Sequence, residues 1–309
     1  MSKKQVLRSR GLLILMMLAS GCSIRTLATR ALANSLAGSG TNFSSDPDPE
    51  LVEAAVPFGL KTMEQVLGDQ PRHVGLLTAL ASGFTQYAYA FVQQDADRLE
   101  DRDVAAARRA QLRLRKLYLR ARDYGLRGLE VRHQGMTRAF TEPKGTGMGS
   151  ALAMAKREDV PLLYWVGASW ALAISDSKDD LELVGQLPMV EAIMARALQL
   201  DEAFDEGSIH EFYVVYDGGR SESEGGGLEK ARAHLARALQ LSKNKKLGPL
   251  VSFAETVSVG RQDHEEFRRL LNQVLMADVD QAPAYRLANT IAQQRARWLL
   301  GREKELFAD

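Results

Sequence analysis

The segment Arg196-Ala197-Leu198-Gln199-Leu200 recurs letter for letter as Arg237-Ala238-Leu239-Gln240-Leu241, 41 residues further along the chain. A helix end repeated at such an interval marks like units stacked side by side, because a single helical hairpin cannot bury its own apolar face. Weaker echoes extend the series: Gln65-Val66-Leu67, Arg127-Gly128-Leu129-Glu130-Val131 and Gln273-Val274-Leu275-Met276. With the second residue of each as register, the marks are Val66, Gly128, Ala197, Ala238 and Val274. The intervals lie near one or two lengths of a hairpin repeat of roughly 34 residues, with insertions. A small residue at the mark lets neighbouring helices close up while the leucines fill the stack.

Beyond Glu50 almost every apolar pattern has helical period, and no alternating run bounded by hairpin turns interrupts it. The spacing predicts an all-α chain with ten helices: 49–67, 71–94, 102–131, 160–175, 188–200, 206–216, 228–241, 249–259, 263–277 and 283–307. Prolines open five of them, since the first helical turn tolerates a missing N–H. The glycine-rich breaks are 141–149 and 217–227. Two stretches carry no charge, Val74 to Val92 and Val160 to Ser175. The first holds Ser82, Gly83, Thr85 and Gln86 and the second is short of the ~20 residues a membrane span needs, so both read as buried helices.

The N-terminus has a different grammar. Lys3, Lys4, Arg8 and Arg10 precede an apolar run from Gly11 to Ser20, and Leu18-Ala19-Ser20-Gly21-Cys22 follows. Ten residues rise only about 15 Å as helix, half the hydrocarbon thickness of a bilayer, which suits a secretory leader over a membrane span. The chain's one cysteine stands where a lipoprotein signal peptidase requires it. The reading is therefore a signal peptide over 1–21, a lipidated and flexible spacer over 22–48, and a helical domain over 49–309. Ser23 after the cysteine favours a periplasm-facing anchor in the outer membrane. Losing the leader's four unopposed positive charges takes the net charge from +1 to −3, which argues against bulk nucleic-acid binding. A lone cysteine also excludes disulfide frameworks and Cys-rich metal sites.

No catalytic centre or cofactor site emerges. The five histidines are scattered, and His210-Glu211 lacks a second histidine four residues on, where Val214 stands. The glycine-rich loop around Gly225 carries acids and no phosphate-binding lysine. The steepest charge feature runs from Arg108 to Arg138: ten basic residues against Asp123 and Glu130. It reads as a solvated outer face or as a surface for an anionic partner or headgroup, with Arg109, Arg113, Lys116 and Arg120 as candidate contacts. Aromatic residues cluster at helical spacing, and Tyr87, Trp165, Phe212 and Tyr216 are candidates to line a hydrophobic ligand site if their faces turn inward.

Tyr164-Trp165 with Ala168 and Ser169 resembles the aromatic and small residues that open a tetratricopeptide hairpin, and the duplicated segment resembles the end of its second helix. In order along the chain, DPELVEAAVPFGLKTMEQVL, LLTALASGFTQYAYAFV, LYLRARDYGLRGLE, DVPLLYWVGASWALAISDSKDDLELVGQLP, HEFYVVYDGG, GLEKARAHLARALQLS and RARWLL resemble the TatT family, tetratricopeptide lipoproteins associated with TRAP-type transporters. The resemblance implies a tetratricopeptide-like solenoid of about four hairpins plus flanking helices, arranged around a central hydrophobic pore. It implies a non-enzymatic, periplasmic lipoprotein acylated at Cys22 that pairs with a TRAP substrate-binding protein, handles a hydrophobic or lipid-like ligand, and assembles as a trimer. The intervals depart from strict tetratricopeptide spacing, which speaks against a groove for peptides. The competing reading is a scaffold lipoprotein for envelope assembly, with no ligand channel.

Overall fold

The computed structural model describes residues 29–38, 43–141 and 147–308, and among them every regular element is helical. The leader and Cys22 lie outside the described residues. Ten principal helices are numbered here in chain order. The first five are α1 (Pro49–Asp69), α2 (Val74–Tyr87), α3 (Val104–Arg132), α4 (Val160–Ser175) and α5 (Leu187–Leu200). The others are α6 (Ser208–Gly218), α7 (Leu228–Leu241), α8 (Gly248–Phe253), α9 (His264–Met276) and α10 (Arg286–Gly301). Two of them continue through a π-helical turn: α2 through Ala88–Gln93 and on to Leu99, and α8 through Ala254–Ser258.

The helix starts follow side-chain chemistry. Asp48 accepts from the amides of Glu50 and Leu51, Asp103 from Ala106, and Asp263 from Glu266, each satisfying donors the first turn leaves open. His73 does the same for Leu76, so α2 begins at Val74 and Pro71 falls in the preceding turn. Likewise Pro283 opens a short 3-10 turn before α10. Within the stretch read as spacer, residues 29–37 are helical and Ala33 is buried.

Consecutive helices pair as four hairpins, α2–α3, α4–α5, α6–α7 and α8–α9, flanked by α1 and α10. All five register marks are buried and lie near the ends of α1, α3, α5, α7 and α9: Val66, Gly128, Ala197, Ala238 and Val274. The need for a small residue is visible at Ala238. Gly207, at φ +99°, approaches it so closely that a Cβ there would come 3.1 Å from the Ala238 Cα. The uncharged stretches pack as α2 and α4 in the larger core, and no helix among the described residues is long and apolar enough to cross a membrane.

The buried side chains form two cores. One joins α1 to α5 and reaches Ile209 at the start of α6; the other runs from Val214 of α6 to Leu299 of α10. Helix α10 then returns to the first half. Ile291 enters the first core, Arg286 donates to the Ser45 carbonyl at 3.0 Å, and Arg302 pairs with Asp101 at 2.9 Å. The last helix thus closes the stack onto its beginning.

Candidate functional site

Closure by α10 is built around Arg295. Its guanidinium pairs with Glu255 in the π-turn after α8 through both carboxylate oxygens, meets Asp97 at 2.6 Å and Gln94 at 3.3 Å after α2, and lies 4.2 Å from the centre of the Trp298 ring. The side chain is only 12% exposed, so the pairing is shielded from solvent and the two acids hold its pKa high. One arginine therefore joins the last helix to the π-turn after α8 and to the helical segment that follows the π-turn of α2. Such turns push residues out of α-helical phase and recur at functional positions.

The phase change matters at Tyr89. Phe84, Tyr87 and Phe91 stay on the core side of α2, whereas Tyr89 is 45% exposed. Protein nonetheless surrounds its phenol: burial raises its pKa, and Glu255, Glu211, Arg295 and Asp97 all lie close enough to act on it electrostatically. The ring is thus partly open to water while charged groups from α6, the π-turn after α8 and α10 lie near it. The π-turn that carries it is braced from α3, where the buried Tyr118 donates to Gln93 at 2.7 Å.

Tyr164 of α4 belongs to the same group. Its ring meets Trp165 edge-on at 4.9 Å and Phe204 at 5.2 Å, and burial, then Glu211 and Asp205, raise its pKa. Glu211 on α6 packs against the start of α8, where a Cβ on Gly248 would come 2.5 Å from its Oε1. Burial pushes this carboxyl above its usual range, opposed by Lys246 and reinforced by Asp205. Lys246 is itself held by Asp205 at 2.8 Å. One turn along α6 from Glu211, on the same side, is Val215, 44% exposed. The first helices of the hairpins and the π-turns that follow them thus bring Tyr89, Tyr164, Glu211 and Glu255 into one neighbourhood.

The residues singled out from sequence fall in three places. Tyr87 is 8% exposed and sits between α2 and α3, its hydroxyl accepting from Arg113 at 3.2 Å. Trp165 is half-buried beside Tyr164. Phe212 and Tyr216 stack at 5.5 Å near the seam between α5 and α6, where Tyr216 donates to Glu191 and accepts from Arg220 at 2.6 Å. The structure brings Phe212 to Tyr216 but sets Tyr87 apart from the others. Tyr89, Glu211 and Arg295 were not picked out as ligand contacts. Tyr89 stands two residues from Tyr87, and a regular 3.6-residue phase does not put the two on one face.

Arg109, Arg113, Lys116 and Arg120 all lie on the outer face of α3. Arg113 rests on Tyr87, and Arg120 pairs with Glu64 and lies 5.0 Å from the centre of the Phe84 ring, while Arg109 and Lys116 are exposed without an ion-pair partner among the described residues. No group of three or more histidine, cysteine or acidic side chains among the described residues is arranged to hold a metal ion.

The family profile described as TRAP transporter T-component matches residues 45–307, which takes in all ten principal helices. An uncharacterized protein of Treponema pallidum (strain Nichols) is 28% identical over 307 residues, covering 95% of each chain.

Proposed function

As this chain belongs to the TRAP transporter T-component family, we propose that it serves its transporter as a periplasm-facing lipoprotein, moored in the outer membrane by acyl chains on Cys22. In this reading it receives a hydrophobic or lipid-like ligand on the inner wall of the closed stack and pairs with the transporter's substrate-binding protein. The observation that supports the reading is Tyr89, 45% exposed although Glu255, Glu211, Arg295 and Asp97 lie near it. An apolar molecule that leaves one low-polarity cavity for another loses about 25 cal/mol for each Å2 wetted on the way. A few hundred Å2 would cost several kcal/mol, so a continuous dry path from the binding protein into the stack speeds exchange. Burial raises the pKa of Glu211, which eases its protonation, and a carboxyl that is readily neutralised disturbs an apolar passage less than a fixed charge.

The function is transfer, with no bond made or broken, and we assign no reaction chemistry to the chain. Capture of the cognate substrate-binding protein by the immobilised mature chain tests the partnership. Retention is the expected result; no retention at high protein concentration would remove the pairing from the proposal.

A further inference from the structure

The outer face of α3 carries charge that the fold does not consume. Between Arg108 and Arg138 stand ten basic residues and two acids. Several are paired within the molecule: Arg115 with Asp180, Arg120 with Glu64, Arg122 with Asp123, and Arg132 with Asp159. Arg108, Arg109 and Lys116 are exposed and have no ion-pair partner among the described residues. Apolar side chains are set among them. Val104 is 75% exposed and Leu112 is 53% exposed, and Val104, Arg108, Leu112 and Lys116 follow one another at four-residue steps along a single stripe. Alternating cations and exposed aliphatics suit a lipid headgroup layer, where ammonium and guanidinium groups meet phosphates while short apolar side chains dip beneath them.

Further along the helix the stripe runs into a groove of about 490 Å3 lined by Lys116, Leu119, Arg120, Asp123, Tyr124 and Arg127. Arg127 lies 5.5 Å from the centre of the Tyr124 ring and reaches the Pro71 carbonyl at 3.5 Å. Two residues on, His73 is bonded to Asn34 at 2.9 Å. The basic face therefore adjoins the helix at 29–37, where the described chain begins. From there back to Cys22 is seven residues, a reach of at most about 25 Å.

We propose that the outer face of α3 rests on a bilayer surface of anionic phospholipid, beside the root of the lipid anchor. The orientation rests on the reading of Cys22 as the acylation site; the binding surface itself does not. Acyl chains hold the protein to the membrane, and the stripe adds an electrostatic contact that fixes which side faces the lipid. The helical stack is then held in a fixed attitude to the bilayer.

The test uses the mature chain from residue 22 with Cys22→Ser, which cannot be acylated, floated with vesicles of phosphatidylglycerol and phosphatidylcholine or of phosphatidylcholine alone. The expected result is binding to the anionic vesicles only, weakening as salt is raised. The triple variant R108E/R109E/K116E should bind at least roughly tenfold less, while R261E/R297E, which removes two exposed cations elsewhere, should bind as the parent does. All three substituted side chains are exposed, so unchanged thermal unfolding separates lost binding from lost folding. No binding of the parent at low salt, or equal binding by the triple variant, overturns the proposal. Loss of substrate-binding-protein capture in the triple variant, with no vesicle binding by the parent, also overturns it and reassigns the face to a protein partner. Mass analysis of the cell-derived protein tests acylation of Cys22 separately.

Discussion

The Nδ1 atoms of His210 on α6 and His234 on α7 lie 2.8 Å apart, so each ring is the other's hydrogen-bond partner across the hairpin. One must donate and the other accept, which a doubly protonated pair cannot do. Glu202 stands 3.4 Å from His210 Nε2, Asp217 3.5 Å from His234 Nε2, and Tyr213 stacks on His234 at 4.9 Å; Arg237 and Lys230 add positive charge nearby. Burial, chiefly, lowers both histidines, and His234 is pushed down to about 4. Each is thus held neutral in the fold while the unfolded chain takes up protons near pH 6.5. The stabilisation is complete above that pH and is lost as pH falls towards 4. Relative to His234→Gln, the parent should lose on the order of 2 kcal/mol between pH 7 and pH 4.5. Denaturant unfolding at the two pH values measures it; parallel losses in both proteins would refute the pairing.

Asp176, at the end of α4, runs the opposite way. Burial, then Asp97 and Glu100, raise its carboxyl to about 7, and its Oδ2 is buried without a hydrogen bond. The folded chain therefore keeps a proton that the unfolded chain releases near pH 3.8, so the cost to stability builds as pH rises from about 4 to 7 and is complete above that. Asp176→Asn should stabilise the protein at pH 8 by about 2 kcal/mol and leave it unchanged at pH 3.5. Equal effects at both pH values would show that the carboxyl is already ionised at neutrality.

Arg295 holds the last helix to the π-turn after α8 and to the segment Gln94–Leu99. Arg295→Met keeps much of the stem but leaves the partly buried Glu255 and Asp97 without their cation, at a cost of about 1.5–3 kcal/mol. For a chain of this size that lowers the melting temperature by roughly 2–4 °C per kcal/mol. Amide exchange over Gln94–Leu99 and α10 should quicken ahead of exchange in α4. An unchanged melting temperature would mean that closure does not depend on this residue.

Gly125 of α3 sits where a Cβ would overlap Val166 Cγ2 of α4. The β-branched valine has little freedom to yield, so Gly125→Ala should cost about 1–3 kcal/mol. Val166→Ala opens the space, and the double variant should lose less than the two single losses added together. Additive losses would place the strain elsewhere.

Ten helices and their hairpin pairing could be read from hydrophobic period, from the prolines that open helices and from the duplicated leucine-bearing segment. Those signals are local, or recur at fixed intervals, whereas the caps Asp103 and Asp263 fall inside the spans the pattern gave and emerge only from the fold. The surroundings of Tyr89 were less legible. Arg295 meets Asp97 only because α10 comes back to the first hairpin, and nothing in the local pattern around residue 295 announces a partner almost 200 positions away. Tyr89 was hidden by the π-turn, which breaks the regular phase used to assign faces. On α3 the charge itself was plain, but the division between Arg120, spent on Glu64, and Lys116, left exposed, depends on where α1 packs.

Uptake of an apolar ligand by the inner wall we propose around Tyr89 can be read by native mass spectrometry of delipidated protein re-exposed to fatty acids, for the parent and for Tyr89→Lys. A discrete ligand-bound species of fixed stoichiometry in the parent, depleted in a Tyr89→Lys variant that melts like the parent, is the expected result. No bound species in the parent, or uptake indifferent to the charge placed at position 89, would contradict it.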